Sequence, residues 1–523
     1  QHTHLLQYQN TFAGVHNLTA KAVFEEQFTD NFSSSSLGQN LLIEGVETDN
    51  IGFAGSQVIN SGQSQRGIRS FVGRVEYDLA NRYLITGTVR VDATSVFAPE
   101  NRVSTFPSVA AAWRVNNENF MKGVSQISNL KLRASYGQIG NQAIAPYSTL
   151  ATLQTGLQFN SVLNNTEAIV GIAPGNFARP GLIWETTTQL DLGIDLGFLD
   201  GRFNLSFDWY DKQTTDLLLF ISIPSYTGLG SDLRNVGSLQ NRGFEIDLSA
   251  VVINNGDFWW ETSFNLGRNI TTVLDLGDEE EIFVGGSFAG SGSIRSRVEV
   301  GDQLGNFLGY VSEGVWTTEE AAQAAEFGLQ PGDVKYQDLN GDGVINEDDV
   351  TVIGNGAPDF AWGFNNTLTW KGFDLNVFFQ SIVGHDIFNI QRSIMLGASG
   401  DVRTPTHADI ENRWTPENQN TDIPAFSSTN FQVPEDSRFI EDGSFIRLRN
   451  VRLSYTFSPE MFNANFFQGL TLYVSGQNLY TFTNYKGYDP EISGAGDSNV
   501  NLSIDNGTYP NPRVVTLGAN LTF

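Results

Sequence analysis

Residues 189–210 read QLDLGIDLGFLDGRFNLSFDWY. Ahead of the turn at Asp200-Gly201, Leu190, Leu192, Ile194, Leu196 and Phe198 alternate with Gln189, Asp191, Gly193, Asp195 and Gly197. Beyond it, Phe203, Leu205, Phe207 and Trp209 alternate with Asn204, Ser206, Asp208 and Tyr210. Alternation with a period of two puts every apolar side chain of a strand on one face and every polar one on the other. Each arm has roughly the 9–11 residues that cross a bilayer at a tilt, against about 5–6 in an ordinary strand. The pair therefore reads as a membrane hairpin, oily outside and wet inside.

The same pattern recurs along the chain. Phe244, Ile246, Leu248, Ala250 and Val252 lead to the turn Asn254-Asn255-Gly256, while Phe373, Leu375, Val377 and Phe379 follow Lys371-Gly372. Tyr83, Ile85, Gly87, Val89 and Val91 follow Asn81-Arg82. Asn-Gly and Asp-Gly supply the positive φ angles that short hairpin turns need. About fifteen such strands are expected, near residues 5–14, 17–28, 68–79, 83–93, 103–114, 129–137, 184–198, 202–213, 240–253, 257–268, 358–370, 372–381, 444–457, 469–479 and 511–523. Connections alternate between minimal turns, as at Val15–His16, Leu199–Gly201 and Trp370–Gly372, and long polar excursions at 29–67, 138–183, 269–357 and 382–443. Two inner connections, 115–128 and 458–468, are longer than the rest. Short inner turns and long outer loops are the layout of an outer-membrane barrel.

Composition agrees. With 40% hydrophobic, 12% aromatic and 17% charged residues the chain is too apolar for disorder, yet it has no run of about 20 apolar residues for a membrane helix. A net charge of -28 argues against nucleic acid, which requires a basic surface. Cys is absent, which excludes disulfides and thiolate chemistry. The five His (His2, His4, His16, His385, His407) have no triad or metal spacing, and there is no G-x-S-x-G elbow or P-loop, so no enzyme is expected. The final strand places Val515, Leu517, Ala519, Leu521 and Phe523 on one face. Together, Thr516, Gly518, Leu521 and a terminal Phe523 resemble the signal read by barrel-assembly machinery. Fifteen strands would leave two open edges, costly in lipid, so upstream strands are expected beyond this sequence.

Several segments resemble the SusC/RagA family of TonB-dependent transporters of Bacteroidetes. They include Phe106-Pro107-Ser108, Asn129 to Gly137, Trp184 to Gln189, Asn241-Arg242-Gly243-Phe244-Glu245, Arg438 to Leu448 and Gly487-Tyr488-Asp489-Pro490-Glu491. The resemblance implies an all-β transmembrane antiparallel barrel of about 22 strands around a plug, of which this chain holds the last fifteen without the N-terminal plug. It implies a multi-pass location in the bacterial outer membrane, in contact with lipid. It also implies a SusD-like lipoprotein lid, coupling to the TonB complex through a region not included here, and a dimer of transporter–lipoprotein pairs. The cargo would be a large nutrient, an oligosaccharide or a peptide. A passive porin-like channel and a calcium-binding surface adhesin or structural β-protein are the alternatives.

The sharpest local motif is Asp338-Leu339-Asn340-Gly341-Asp342-Gly343-Val344-Ile345-Asn346-Glu347-Asp348-Asp349, within the excursion 269–357. Oxygen-bearing groups at Asp338, Asn340, Asp342, the Val344 carbonyl, Asn346 and Asp349 match the ligand spacing of a Ca²⁺ loop, with Gly at the sharp turn. Asp replaces Glu at the last position, which resembles dockerin-type loops. The plainer reading is an Asp/Asn/Gly turn closed by its own side chains. Charges inside strands (Lys131, Arg133, Asp191, Asp195, Glu245, Asp247, Arg447, Arg449) fall on the wet phase, where lumen water, a plug or cargo would meet them. Trp209, Tyr210, Trp259, Trp260, Trp370, Tyr455 and Phe457 gather at strand ends as a membrane girdle. Phe283, Phe288, Phe307, Tyr310 and Trp316 lie in the outer loops, where they would pack the loops, meet the lid, or stack on cargo. The run Asp278-Glu279-Glu280-Glu281 reads as a solvated loop face.

Overall fold

The computed structural model describes residues 1–41, 50–155, 161–163, 167–169, 171–287, 293–396, 406–426, 435–458, 469–492 and 500–522. Phe288 and the terminal Phe523 lie outside them. Among the described residues no helix is long and apolar enough to cross a membrane.

Fifteen strands form one antiparallel sheet in which spatial order follows chain order. They are β1 (His2–Phe12), β2 (His16–Leu41), β3 (Ala54–Leu79), β4 (Tyr83–Thr94), β5 (Val103–Arg114), β6 (Ile127–Asn141), β7 (Glu185–Phe198) and β8 (Phe203–Thr215). Then come β9 (Ser238–Asn254), β10 (Phe258–Asp275), β11 (Phe360–Trp370), β12 (Phe373–Val383), β13 (Phe445–Phe457), β14 (Gly469–Thr483) and β15 (Val514–Thr522). These are the expected strands, several a few residues longer. The turns are as the residue types require: φ is positive at Leu199, Asp200 and Gly201, at Ala80 and Asn81, and at Lys371 and Gly372. Two consecutive positive φ values twist a short turn in the sense of the strands it joins.

One expectation is corrected. Residues 29–67 are not simply a loop, because β2 and β3 run on, paired from His16↔Leu79 out to Leu41↔Ala54. The outer part pairs Asn31 with Ser64, Ser33 with Gly62 and Ser35 with Asn60. Backbone hydrogen bonds sustain a ribbon there without the apolar alternation by which strands are recognised.

The chain divides into two compact units, Gln1–Asn117 with Arg133–Asp191 and Lys212–Ser238, and Glu118–Leu132 with Leu192–Asp211 and Leu239–Phe523. In the first, Val96, Phe97, Phe106, Ile144, Leu182, Trp184 and Leu233 form a small core. Its Trp184 meets Phe106 edge-on at 5.6 Å between ring centroids and donates to the Arg102 carbonyl at 3.2 Å. In the second, Phe307, Phe388, Ile390, Ile394, Leu396, Ile423, Phe439 and Ile504 form a core from segments far apart in sequence. Beside it the buried Asp436 accepts from Tyr336 Oη at 2.8 Å and from Arg438 Nε at 2.8 Å. Excursions that bury their own apolar side chains in this way hold a defined shape, each full burial contributing about 1.5–3 kcal/mol.

Candidate functional site

Strand register sorts each unit's residues onto two unlike faces. In the first unit Tyr77, Ile85 and Ala111 share a row, as do Phe24, Phe71, Val91 and Thr105. Ile85 is 52% exposed and Phe71 53% exposed. In the second unit Trp260, Leu368, Leu375, Leu453 and Val474 make another such row. Aromatic rings collect beside the inner turns: Tyr83 stacks on Trp113 at 6.4 Å, Trp370 on Phe373 at 6.4 Å, and Phe373 meets Tyr455 at 4.6 Å. In each unit, apolar rows with aromatic rings at the inner turns suit hydrocarbon and not water.

The other face is polar and ion-paired. In the first unit Lys21 and Arg74 both reach Glu76, at 3.5 and 2.6 Å, and Arg90 holds Asp92 at 2.7 Å and Ser70 Oγ at 3.0 Å. Ser135 donates to Asp191 at 2.8 Å. In the second, Lys131 pairs with Asp195 at 3.5 Å, which also accepts from Ser206 at 2.9 Å. Asp195 and Asp247 line a groove of about 380 Å³ with Asn129, Asn204, Asn265 and Asn365. Amides and carboxylates at such density form a surface for polar solutes or polar protein.

Toward the outer end of the polar face the structure goes beyond the sequence reading. Arg447 is buried, not open to the lumen, because the segment 485–491 folds over it. Its guanidinium is held by Asp489 and by Glu491, and Glu491 also binds Arg449 at 2.8 Å. Asp489 accepts in addition from the Glu491 and Asn511 N–H groups, at 2.9 and 3.0 Å. A carboxylate offers about four acceptor sites, and here one carboxylate ties two loop segments to a strand. The sequence signal was faint: two Arg on the wet phase of β13, and a pair of acids in the motif Gly487 to Glu491.

The six Ca²⁺-loop groups do share one loop, with Gly341 and Gly343 at φ +74° and +82°. Asp338 accepts from Gly341 N at 2.7 Å and Gly343 N at 2.9 Å. Asp342 accepts from Val344 N at 2.8 Å, and Asn340 Oδ1 from Asp342 N at 2.9 Å. The buried Asp349 accepts from Leu339 N at 2.8 Å and Asn346 N at 2.9 Å. By type this donor set fits a hard cation, and each carboxylate keeps acceptor capacity. By geometry the carboxylates are turned onto the loop backbone, and among the described residues no three acid or His side chains converge as ligands.

Of the outer-loop aromatics, Phe307 is buried in the second unit's core and Trp316 is buried against Phe327, while Phe283 is exposed. Lys335 Nζ lies 4.8 Å over the Trp316 ring. Residues 278–281 are exposed, as expected. In the first unit's excursion, burial works against ionisation of Asp232, but Arg179 and Arg234 outweigh it and hold its carboxyl below the usual range.

A family model described as TonB dependent receptor-like, beta-barrel, matches residues 1–479. The chain belongs to the TonB-dependent receptor β-barrel family. It is 36% identical to TonB-dependent receptor P3 of Formosa agariphila over 99% of its length, covering 52% of that protein. It is 29% identical to TonB-dependent receptor SusC of Bacteroides thetaiotaomicron over 87% of its length, covering 43% of that protein. The structure of the RagAB peptide transporter superposes with a TM-score of 0.85 at 24% identity, covering all of this chain and 55% of the other. The chain thus spans about half the length of the curated relatives it matches. Within the family it is of the SusC/RagA type, and its place is the bacterial outer membrane. The exposed apolar rows are therefore the lipid face of this TonB-dependent receptor barrel, and the ion-paired rows its inner face.

Proposed function

We propose that this barrel belongs to an importer that draws a large solute, an oligosaccharide or a peptide, across the outer membrane. In this reading a SusD-like lipoprotein serves as the lid, the TonB complex supplies the force, and two transporter–lipoprotein pairs associate. The observation that carries it is the polar face: its paired charges and amides belong to an interior that meets hydrated matter, opposite a face made for hydrocarbon. Likeness to SusC and to a peptide transporter supports the choice of cargo classes. Likeness to TonB-dependent receptors supports transport and not catalysis.

The test uses the full-length gene in a host with and without a working TonB system. Uptake of fluorescent oligosaccharides and peptides is followed in wild-type, deletion and complemented cells, with co-purification of a lipoprotein as a second readout. The reading expects uptake of one cargo class that needs both the gene and TonB. Uptake that persists without TonB would establish a passive channel. Unchanged uptake with lost surface adhesion would establish an adhesin.

Calcium is part of the same reading, as a structural ion stiffening the excursion 269–357. Its support is the register of Asp338, Asn340, Asp342, Val344, Asn346 and Asp349; binding would require the carboxylates to turn from backbone amides toward the ion.

A further inference from the structure

The lipid face of the second unit carries a notch. Register aligns Trp362, Ser381, Ile446 and Phe482 in one row and Phe364, Phe379, Leu448 and Tyr480 in the row below. Every member of both rows is bulky except Ser381, which is fully buried and donates its hydroxyl to the Phe445 carbonyl at 2.6 Å. A recess of about 540 Å³ lies over this small, covered residue. Tyr480 and Phe482 wall it, edge to face at 4.6 Å, and both are more than half exposed. Asp442, Ser444 and Asn484 close its upper end.

Depth identifies what fills it. Trp362 stands eight residues above Trp370, which ends β11 at the inner turn. At ~3.3 Å per residue and a tilt of ~40°, that is ~20 Å up an apolar band ~25 Å tall. The recess thus opens into hydrocarbon just below the outer head-group region, and its polar end lies where head groups begin. Water gains nothing from an aromatic-walled notch at this depth, whereas an acyl chain buries its methylenes there at about 0.8 kcal/mol each. Asp442, already accepting from the Ser444 N–H at 2.9 Å, presents an anionic carboxylate at the rim. It repels a bare phosphate and accepts from an ammonium or hydroxyl group. We infer that this notch holds an acyl chain of an outer-leaflet lipid whose head group offers an ammonium or hydroxyl donor to Asp442.

The experiment is native mass spectrometry of the full-length protein purified from outer membranes in mild detergent, with folding checked by unheated gel migration. Phosphatidylethanolamine and phosphatidic acid of matched chains are then added back to delipidated protein. Wild type is expected to retain one lipid and to prefer phosphatidylethanolamine. Ser381→Leu, which fills the floor, and Phe482→Ala, which removes an exposed wall, each lower retention by about tenfold. Val474→Ala, elsewhere on the same face, leaves it unchanged. Asp442→Asn abolishes the head-group preference while keeping the chain. Should Ser381→Leu fail to fold, Phe482→Ala decides alone. Equal retention in Phe482→Ala and wild type, equal loss in Val474→Ala, or no head-group preference in wild type would overturn the inference.

Discussion

Arg447, a strand residue of the inner face, is bound by Asp489 from a segment that covers it completely. Removing one member of a buried pair strands the other charge, at a cost of about 3–5 kcal/mol. Arg447→Met should therefore release 485–491, seen as new protease cleavage in that segment and a lower unfolding midpoint. Arg447→Met with Asp489→Asn should recover part of the loss, because the amide oxygen still accepts from the Glu491 N–H while no unpaired charge remains at 489 and Glu491 keeps Arg449. Equal destabilisation of the double variant would show that the segment is held by packing and not by the ion pair.

His385 follows β12 and is buried against the segment that carries Pro490. Burial holds its imidazole below the usual value of 6.5, although the Pro490 carbonyl, Asp442 and Asp386 pull the other way. A depressed pKa means that the folded form binds fewer protons than the unfolded one. Its contribution is therefore full above about pH 6.5 and declines as pH falls below it. The midpoint difference between wild type and His385→Gln should shrink between pH 7.5 and 5.5. A difference that stays constant over this range would contradict the assignment.

Gly140 lies beneath the Phe106 ring, so that a Cβ there would collide with ring carbons. Phe106 is itself buried in the first unit's core. Overpacking costs roughly 1–3 kcal/mol, and Gly140→Val should lower the unfolding midpoint accordingly. Phe106→Leu in the same chain should restore part of it. Additive losses in the pair would show that the two sites do not share space.

The Ca²⁺ expectation is checked by isothermal titration of the full-length protein. Wild type should show chelator-sensitive heat, and Asp342→Ala should reduce it. No heat in wild type would leave residues 338–349 as a turn closed by its own amides.

How much of this was legible in the sequence depended on the length scale of the signal. The strands were readable because a membrane imposes period-two alternation over ten residues, as in Leu190 to Phe198, and because turns such as Leu199-Asp200-Gly201 carry their own chemistry. The outer ribbon of β2 and β3 was not, since Ser33 to Ser36 and Ser61 to Gln65 face water on both sides and show no alternation. The closure of Asp489 over Arg447 spans 42 residues and leaves only a charge on the wet phase of a strand. The notch at Ser381 depends on four neighbouring strands agreeing in register, which no single segment encodes. In the Ca²⁺ loop, side-chain types were readable but not where their oxygens point.

The central claim is that one face of each strand meets hydrocarbon and the other water. The sequence has no Cys, so single cysteines at positions 189–196 of the full-length protein in membranes can carry spin labels without background from this region. Collision with oxygen, which concentrates in hydrocarbon, should peak at Leu190, Leu192, Ile194 and Leu196. Collision with a water-soluble nickel reagent should peak at Gln189, Asp191, Gly193 and Asp195. Profiles that rise and fall together, or with the period of a helix, would contradict a membrane-spanning wall.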